Sequence, residues 1–392
     1  MPDAETIFLK KNLLLLAEKY NVSSAQAQVI QARLYNNPNV QVSGNIYNPE
    51  LKKPFDMSNA HGEFTVGIQQ LIDIAGKHNS QVKVAQTNVA LAQSRLFDLL
   101  RTLRYTLRSD YYQLYFLQQS IHSYDEQIEW LGNMSKTYDD LAAKGRVSLK
   151  DAMRIKSLWY GLKAEQLNLQ TQFNEVEAEF QLLLQGNNTV FLPDTVKQQV
   201  QDIKQLPMQS LLDSAYTHRY DLLQAQQTAT LAAQNYTLQK ATAVPDLLVG
   251  ASFDKRGSFV ENAGFFTVGI DLPFFNRNQG NIKAAKLGIE QSKLLVNQQQ
   301  QVVENDVLHA YHDLLAADAM VKSIDASFPQ QFTDLLKSAQ LNFQRNNLSV
   351  LDFADFYESY KQSVLQYNQA LNNKAQSIER LNFAVGAAVL SY

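Results

Sequence analysis

Hydrophobic and polar residues alternate in four short stretches of this chain, and a period of two is typical of a strand with one apolar face. The first stretch contains Val40-Gln41-Val42-Ser43, and the other three begin near residues 64, 247 and 266. Each stretch extends to about ten residues, the length expected of a tilted strand that spans a membrane. The pattern predicts two β-hairpins, over 39–71 and 246–273.

A second period, of three and four residues, marks a very long helix. Residues 77–143 contain no proline, and their apolar positions from Val82 to Leu103 form a seam for another helix. An unbroken helix of 67 residues would be roughly 100 Å long, far more than a compact domain requires. We predict that it ends in a turn at 144–148 and that a further helix spans 149–184.

The chain contains this unit twice. The sequence Phe-Thr-Val-Gly-Ile occupies 64–68 and recurs at 266–270, so an internal repeat governs the architecture. Repeat one covers 1–185 and repeat two covers 209–392, joined by an equatorial linker at 186–208. Each repeat is predicted to run helix, hairpin, long helix, turn, helix.

The remaining elements follow from capping and proline signals. The first helix is predicted over 5–35 with a break near 21–24, and its counterpart in repeat two spans 210–243. The second long helix is predicted over 279–344, with a kink at Phe328-Pro329. A turn at 345–349 and a last helix at 350–385 complete the chain.

Composition excludes several classes of protein. The net charge is -3 and gives no electrostatic basis for binding nucleic acid. The chain has no cysteine, which excludes disulfides and cysteine-based zinc sites. No apolar run reaches the ~20 residues of a membrane helix. No signal-peptide pattern begins at Met1, so an exported form is expected to begin after removal of a leader.

Catalytic chemistry is not indicated either. His309 and His312 are the one histidine pair with helical spacing that could share a metal, and without a carboxylate at matched spacing a solvated helix face is the better interpretation. We find no phosphate-binding loop and no nucleophile–histidine signature. We therefore expect no enzyme activity, no cofactor and no metal site.

Four amphipathic strands cannot close a barrel alone, because small barrels need about eight strands, and open sheet edges are unacceptable in lipid. Chains must therefore pool their strands if these lie in a membrane. The polar face, with Gln41, Ser43, Thr65, Gln69, Ser252 and Thr267, would line a wet lumen. The residues expected to contact lipid are Val40, Val42, Phe64, Val66, Ile68, Val249, Phe253, Phe266, Val268 and Ile270.

From residue 5 to residue 385 the chain resembles the TolC family of outer membrane channels. Arg219-Tyr220-Asp221-Leu222 is similar to the family's Arg-Pro-Asp-Leu at the start of repeat two, with tyrosine in place of proline. Residues 64–77 resemble the strand-to-helix junction of the heavy-metal and small-molecule efflux branch. Asp352 and Asp355 match the family's aspartate pair at the periplasmic constriction. Leu348 departs from the pattern, because TolC itself has an arginine there that helps to hold the closed state.

The resemblance implies a mainly α fold with a transmembrane β-barrel: a homotrimer of 12 strands on a tunnel of 12 packed helical strands. It implies the outer membrane exit channel of a tripartite efflux system, with a long periplasmic extension, a periplasmic adaptor protein and an inner-membrane pump. Asp352 and Asp355 would form the periplasmic gate. The adaptor-docking tips would be Gly145, Arg146, Val147, Ser148, Asn346, Asn347, Leu348 and Ser349.

Three alternatives stay open from the sequence. A type I protein secretion duct would have the same architecture as an efflux channel. A coiled-coil adaptor or scaffold with soluble hairpins would remain soluble without detergent. An enzyme with a helical body lacks a recognisable site in the sequence.

Overall fold

A computed structural model describes residues 2–56, 61–186, 203, 206–255, 261–325 and 327–392. The predicted linker at 186–208 and the tip of the second hairpin, at 256–260, therefore lie largely outside the described residues. Among the helices that are described, none is long and apolar enough to cross a membrane. The helices are α1 Pro2–Lys11, α2 Leu13–Ala32, α3 Lys77–Ala143, α4 Leu149–Leu184, α5 Met208–His218, α6 Tyr220–Thr242, α7 Gln279–Ser323, α8 Phe328–Gln344 and α9 Val350–Val385. The strands are β1 Asn39–Gly44, β2 Tyr47–Asn48, β3 Lys53–Pro54, β4 Phe64–Ile72, β5 Leu247–Lys255 and β6 Ala263–Ile270.

The chain forms two compact units, and each contains parts of both repeats. The strand unit consists of Glu18–Leu96 and Asp221–Gln299. The tip unit consists of Met1–Ala17, Phe97–Tyr220 and Gln300–Tyr392.

In the strand unit, four strands form one antiparallel sheet in the order β1-β4-β5-β6. The two hairpins are thus joined through β4 and β5, where Val66 pairs with Phe253 and Ile72 with Leu247. Lys77, the first residue of α3, donates hydrogen bonds of 2.6 and 2.7 Å to the carboxylate of Asp246, which precedes β5. This half-buried ion pair fixes the start of the long helix against the start of a strand.

In the tip unit, α3, α4, α8 and α9 share an aromatic core. Phe343 stacks on Phe353 with ring centroids 4.5 Å apart, and it also stacks on Tyr138 with ring centroids 5.6 Å apart. Trp130 contacts Phe353 at 5.1 Å. Aromatic pairs of this kind add to the stabilisation from burial, so the tip end of the helices is held by a core that involves both repeats.

The first helix of each repeat is broken where the sequence did not predict a break. The predicted break near 21–24 is wrong, because α2 passes through these residues and the interruption lies at Asn12. The Asn12 side chain accepts a hydrogen bond from the Leu15 amide and donates one of 3.0 Å to the Leu183 carbonyl. In repeat two the predicted helix 210–243 is two helices, separated at Arg219.

Two further details differ from the sequence-based prediction. The second long helix is divided into α7 and α8 near its predicted kink, rather than continuing through 279–344. Inside the first predicted hairpin, 39–71, the short strands β2 and β3 form a second, smaller hairpin in which Tyr47 pairs with Pro54. The bounds of α3 and α4 equal those predicted for the first long helix and its successor.

Candidate functional site: a two-faced sheet and two helical tips

The strand register divides the sheet into two chemically different faces. Directly paired residues of neighbouring strands share a face, and one row across the sheet contains Val42, Val66 and Phe253. Applied to every pair, the register places all ten residues of the predicted lipid-facing set on one face. The opposite face carries the six polar residues Gln41, Ser43, Thr65, Gln69, Ser252 and Thr267.

The apolar face is open to its surroundings within a single chain. Val42 is 68% exposed and Phe266 is 72% exposed. A contiguous exposed apolar surface of this kind marks contact with a membrane or another protein. Each face has exceptions. Gln70 and Lys255 lie on the apolar face, where they pair with Val249 and Phe64, and on the polar face Leu71 pairs with Leu248 and Phe265 with Ser252.

The two predicted tips have the same backbone design. Gly145 and Asn346 adopt positive φ, of 68° and 58°. In each tip the next amide then donates a 2.9 Å hydrogen bond to a carbonyl five residues back, to Leu141 in one tip and Asn342 in the other. This is the six-to-one bond of a Schellman turn, which satisfies the carbonyls at a helix end.

The eight tip residues do not all face outward. Val147 and Leu348 pack against the aromatic core of the tip unit. Arg146, Ser148, Asn347 and Ser349 are exposed. The tip surface available to a partner is therefore polar, with the two apolar residues anchoring each turn from inside.

Asp352 has a local structural role. The Ser349 hydroxyl donates a 2.6 Å hydrogen bond to its carboxylate, and the Asp352 amide donates one of 3.1 Å back to the serine oxygen. Ser148 and Asp151 make the same reciprocal pair at the start of α4. This capping box satisfies donors at a helix start and accounts for an acid at both positions.

Asp355 is not accounted for by capping. It is exposed one turn into α9, on the same side of the helix as Asp352 because residues three apart are neighbours. The corresponding residue of α4, 201 positions earlier, is Arg154. The paired acids are therefore particular to repeat two.

Sequence reasoning missed the role of Arg219. Its guanidinium is 3% exposed, donates 3.0 Å hydrogen bonds to the Ala384 carbonyl and to Asp306, and thereby ties the break in repeat two to the end of α9. In repeat one, the hydrogen bond from Asn12 to the Leu183 carbonyl ties the break after α1 to the end of α4 in the same way. The signal was the motif at 219–222, which identified the residue but not its partners.

The expectation for His309 needs a correction. A carboxylate does lie at matched spacing, because Asp313 Oδ2 is 3.1 Å from His309 Nδ1 and 3.0 Å from Arg380. Arg380 and Asp313 form an exposed ion pair with the His309 ring beside it. Within the described ranges, no group of three metal-ligating side chains comes together.

A model of the family described as "Outer membrane efflux protein" matches residues 7–185 and 211–387. The chain belongs to this family. The resemblance drawn from the sequence is thereby confirmed, and with it an efflux function and a location in the Gram-negative outer membrane. The family is one of efflux channels and not of enzymes.

Similar proteins match almost the whole length of this efflux protein. The cobalt-zinc-cadmium resistance protein CzcC of Cupriavidus metallidurans is 19% identical over 383 residues, covering 96% of this chain and 87% of CzcC. A membrane protein from Pseudomonas aeruginosa is similar in structure with a TM-score of 0.80 at 16% identity, over 98% of this chain and 90% of that one. The outer membrane protein VceC of Vibrio cholerae has a TM-score of 0.77 at 17% identity, over 98% and 96%. These similarities confirm the predicted fold class, mainly helical with four principal strands per chain.

Proposed function

We propose that this efflux protein is the outer membrane exit channel of a tripartite system, and that it acts as a homotrimer. Three copies would supply 12 strands, enough to close a barrel around a lumen. The observation that supports this most is the register of the sheet, which separates ten apolar residues from six polar ones on opposite faces. The apolar face would contact lipid and the polar face would line the passage.

The two repeats would serve one passage, with repeat one at 1–185, repeat two at 209–392 and the equatorial linker at 186–208 between them. The tips at 145–148 and 346–349 would meet a periplasmic adaptor, which connects the channel to an inner-membrane pump. The matching turns support this role, because each presents exposed polar residues on a rigid aromatic core.

The gate would lie at Asp352 and Asp355. In a trimer whose tips converge, these residues would form two rings of three carboxylates. Negative rings at a narrow mouth attract cations and repel anions. Asp355 carries most of this proposal, since Asp352 also has its capping role.

For the cargo, the likeness to CzcC favours small cations such as cobalt, zinc and cadmium over proteins. The experiment is deletion of the gene, followed by measurement of metal accumulation in cells exposed to each ion. Wild-type protein should restore low accumulation, and Val66→Arg should not. Normal metal export together with loss of a secreted protein would instead favour a secretion duct, and a detergent-free soluble protein would rule out any channel.

A further inference from the structure

A cavity of about 410 Å³ lies within the tip unit, beside the break between α5 and α6. It is lined by residues of α1 and α3, by the end of α9 and by the residues that follow α9. Its volume is in the range of pockets that hold small molecules in proteins. The proposed passage, tips and gate make no use of it.

Three arginines of α3 line one side of this cavity. Arg101, Arg104 and Arg108 are separated by three and four residues, so they lie on the same face of the helix. The Arg101 guanidinium donates hydrogen bonds of 2.8 and 3.1 Å to the Asp98 carboxylate and one of 2.7 Å to the Phe383 carbonyl. The charge of Arg101 is therefore already compensated within the chain.

Arg108 is shared by two carboxylates. Its guanidinium lies 2.8 Å from the Glu379 carboxylate of α9 and 3.3 Å from the Glu5 carboxylate of α1. Glu379 is 3% exposed, and its Oε1 atom has no hydrogen-bond partner among the described residues. Burial raises the pKa of Glu379, and repulsion from Glu5 adds to this effect. The Arg108 end of the cavity thus has one more carboxylate than it has cations.

Arg104 has the opposite imbalance. It forms no ion pair and no hydrogen bond with any residue that the structure describes, and it is exposed one helical turn before Arg108. Residues four apart on a helix have their Cβ atoms about 6 Å from each other. One cation without an acid and one carboxylate without a cation therefore line the same cavity, a short distance apart.

Aromatic side chains supply an apolar part of the cavity wall. Phe97 stacks on Tyr220 with ring centroids 4.9 Å apart, and Tyr105 lies against Phe383 with ring centroids 4.8 Å apart. Phe97 is nevertheless 42% exposed. An apolar group placed against this wall would be removed from water and would contact the aromatic rings.

We propose that this cavity binds a zwitterionic α-amino acid with an apolar side chain. Its carboxylate accepts a bidentate pair of hydrogen bonds from Arg104, the geometry that a guanidinium favours. Its ammonium lies beside Glu5 and Glu379 and supplies the cation that these two carboxylates lack, while its side chain covers Phe97. A simple anion would correct only the imbalance at Arg104, and a simple cation only that at the carboxylates.

Isothermal titration calorimetry of the purified protein in detergent tests this inference with three related probes. L-Phenylalanine carries both charges, 3-phenylpropanoate lacks the ammonium, and 2-phenylethylamine lacks the carboxylate. L-Phenylalanine should bind about tenfold or more tighter than either of the others, because each of them loses one set of charge-assisted hydrogen bonds. It should also raise Tm, since a ligand of the folded state stabilises that state.

Two variants locate the binding in this cavity. Arg104→Gln and Glu5→Gln should each weaken the binding of L-phenylalanine by about tenfold or more. Arg104→Gln should change Tm little when no ligand is present, because Arg104 has no polar partner to lose among the described residues. Arg95→Gln and Asp3→Asn are the matched controls, since they remove the same charges from exposed positions of α3 and α1 outside the cavity lining. Both controls should bind L-phenylalanine as the wild type does.

Four results would overturn the inference. Equal affinity for L-phenylalanine and 3-phenylpropanoate would show a simple anion site, and equal affinity for 2-phenylethylamine would show a simple cation site. Tighter binding of O-phosphoethanolamine than of L-phenylalanine would assign the cavity to a lipid headgroup and not to an amino acid. Absence of binding by every probe at millimolar concentration, or unchanged binding in Arg104→Gln, would also contradict it. The Arg104→Gln result decides even if Glu5→Gln does not fold, and a negative outcome leaves the proposed channel standing because the cavity does not depend on it.

Discussion

Val66 and Thr65 are adjacent in sequence and lie on opposite faces of the sheet. Val66 is paired with Val42 and Phe253, whereas the Thr65 hydroxyl donates a 3.3 Å hydrogen bond to Asp254. Val66→Arg should cost ~2–4 kcal/mol if the site is near the bilayer midplane and should reduce trimer yield in membranes. Thr65→Arg should be accepted, because it adds a cation beside Asp254.

Trimer yields are measured after membrane extraction. Equal yields for the two variants, whether lowered or unchanged from the wild type, would contradict the assignment of the apolar face to lipid.

At the proposed gate, the effect of Asp355 on conductance can be separated from the capping role of Asp352 by a variant in repeat one. Asp355→Ala should weaken cation selectivity and weaken block by multivalent cations added from the periplasmic side, because it removes one ring of charge. Asp151→Ala is the matched control, since it removes the same capping contact that Asp352 makes but no second acid follows it. Adding Asp352→Ala to Asp355→Ala should weaken both effects further.

The measurement is single-channel recording in planar bilayers. Selectivity that survives in the double variant would mean that other residues form the constriction.

Asp110 makes the tip unit sensitive to pH. It is 6% exposed on α3, and its Oδ2 has no hydrogen-bond partner among the described residues. Burial, and then the nearby carboxylate of Glu179, raise its pKa to about 7. The folded state therefore binds this proton more tightly than the unfolded state does, and stability falls as pH rises from about 4 to about 7.

We expect Asp110→Asn to raise Tm at pH 8 and to change it little at pH 4, because the amide removes the buried charge. Asp140→Asn, an exposed position on the same helix, is the control and should have no such dependence. A gain in Tm that is the same at both pH values would contradict the assignment.

At the scale of elements, the tips are the surfaces proposed to meet an adaptor. Cysteines at Ser148 and Ser349 should crosslink to an adaptor hairpin in cells, since both residues are exposed on rigid turns. Cysteines at Val147 and Leu348 are the matched controls and should react poorly, because these side chains pack on the core. Crosslinking confined to positions near 190 would place docking elsewhere.

The elements that could be predicted from sequence are those with a local cause. The period of two predicted the faces of the sheet. The proline-free stretch 77–143 and the turn at 144–148 predicted α3 with its observed bounds. The break at Asn12 could not be predicted, because the carbonyl that its side chain binds belongs to Leu183. The exposure of Leu149 and Leu167 on α4 was also missed, since residues of the same helical pattern are covered in α9.

The candidate site divides in the same way. The capping contact between Ser349 and Asp352 could be predicted because the two residues are three apart in the sequence. The tip turns could be predicted from Gly145 and Asn346, which adopt positive φ. The inward packing of Val147 and Leu348 depends on an aromatic core assembled from four helices. No local pattern contains that information.

At the scale of the whole molecule, the repeat explains why a chain of this kind would not function alone. In one copy the side of α4 that carries Leu149 and Leu167 is exposed, whereas the equivalent side of α9, with Val350 and Asn368, is buried or half-buried. Isolated copies should therefore aggregate through this side of α4.

The equal length of α4 and α9, 36 residues each, limits how such a channel can evolve. Deleting one residue from α4 would rotate everything beyond it by about 100° and turn Leu182 away from the side of the helix that carries Leu167. Deletions of seven residues, made together in α3, α4 and their repeat-two counterparts, would preserve every facing pair. The length of these helices is therefore inherited in discrete steps of about 10 Å, and both halves of the gene must take each step together.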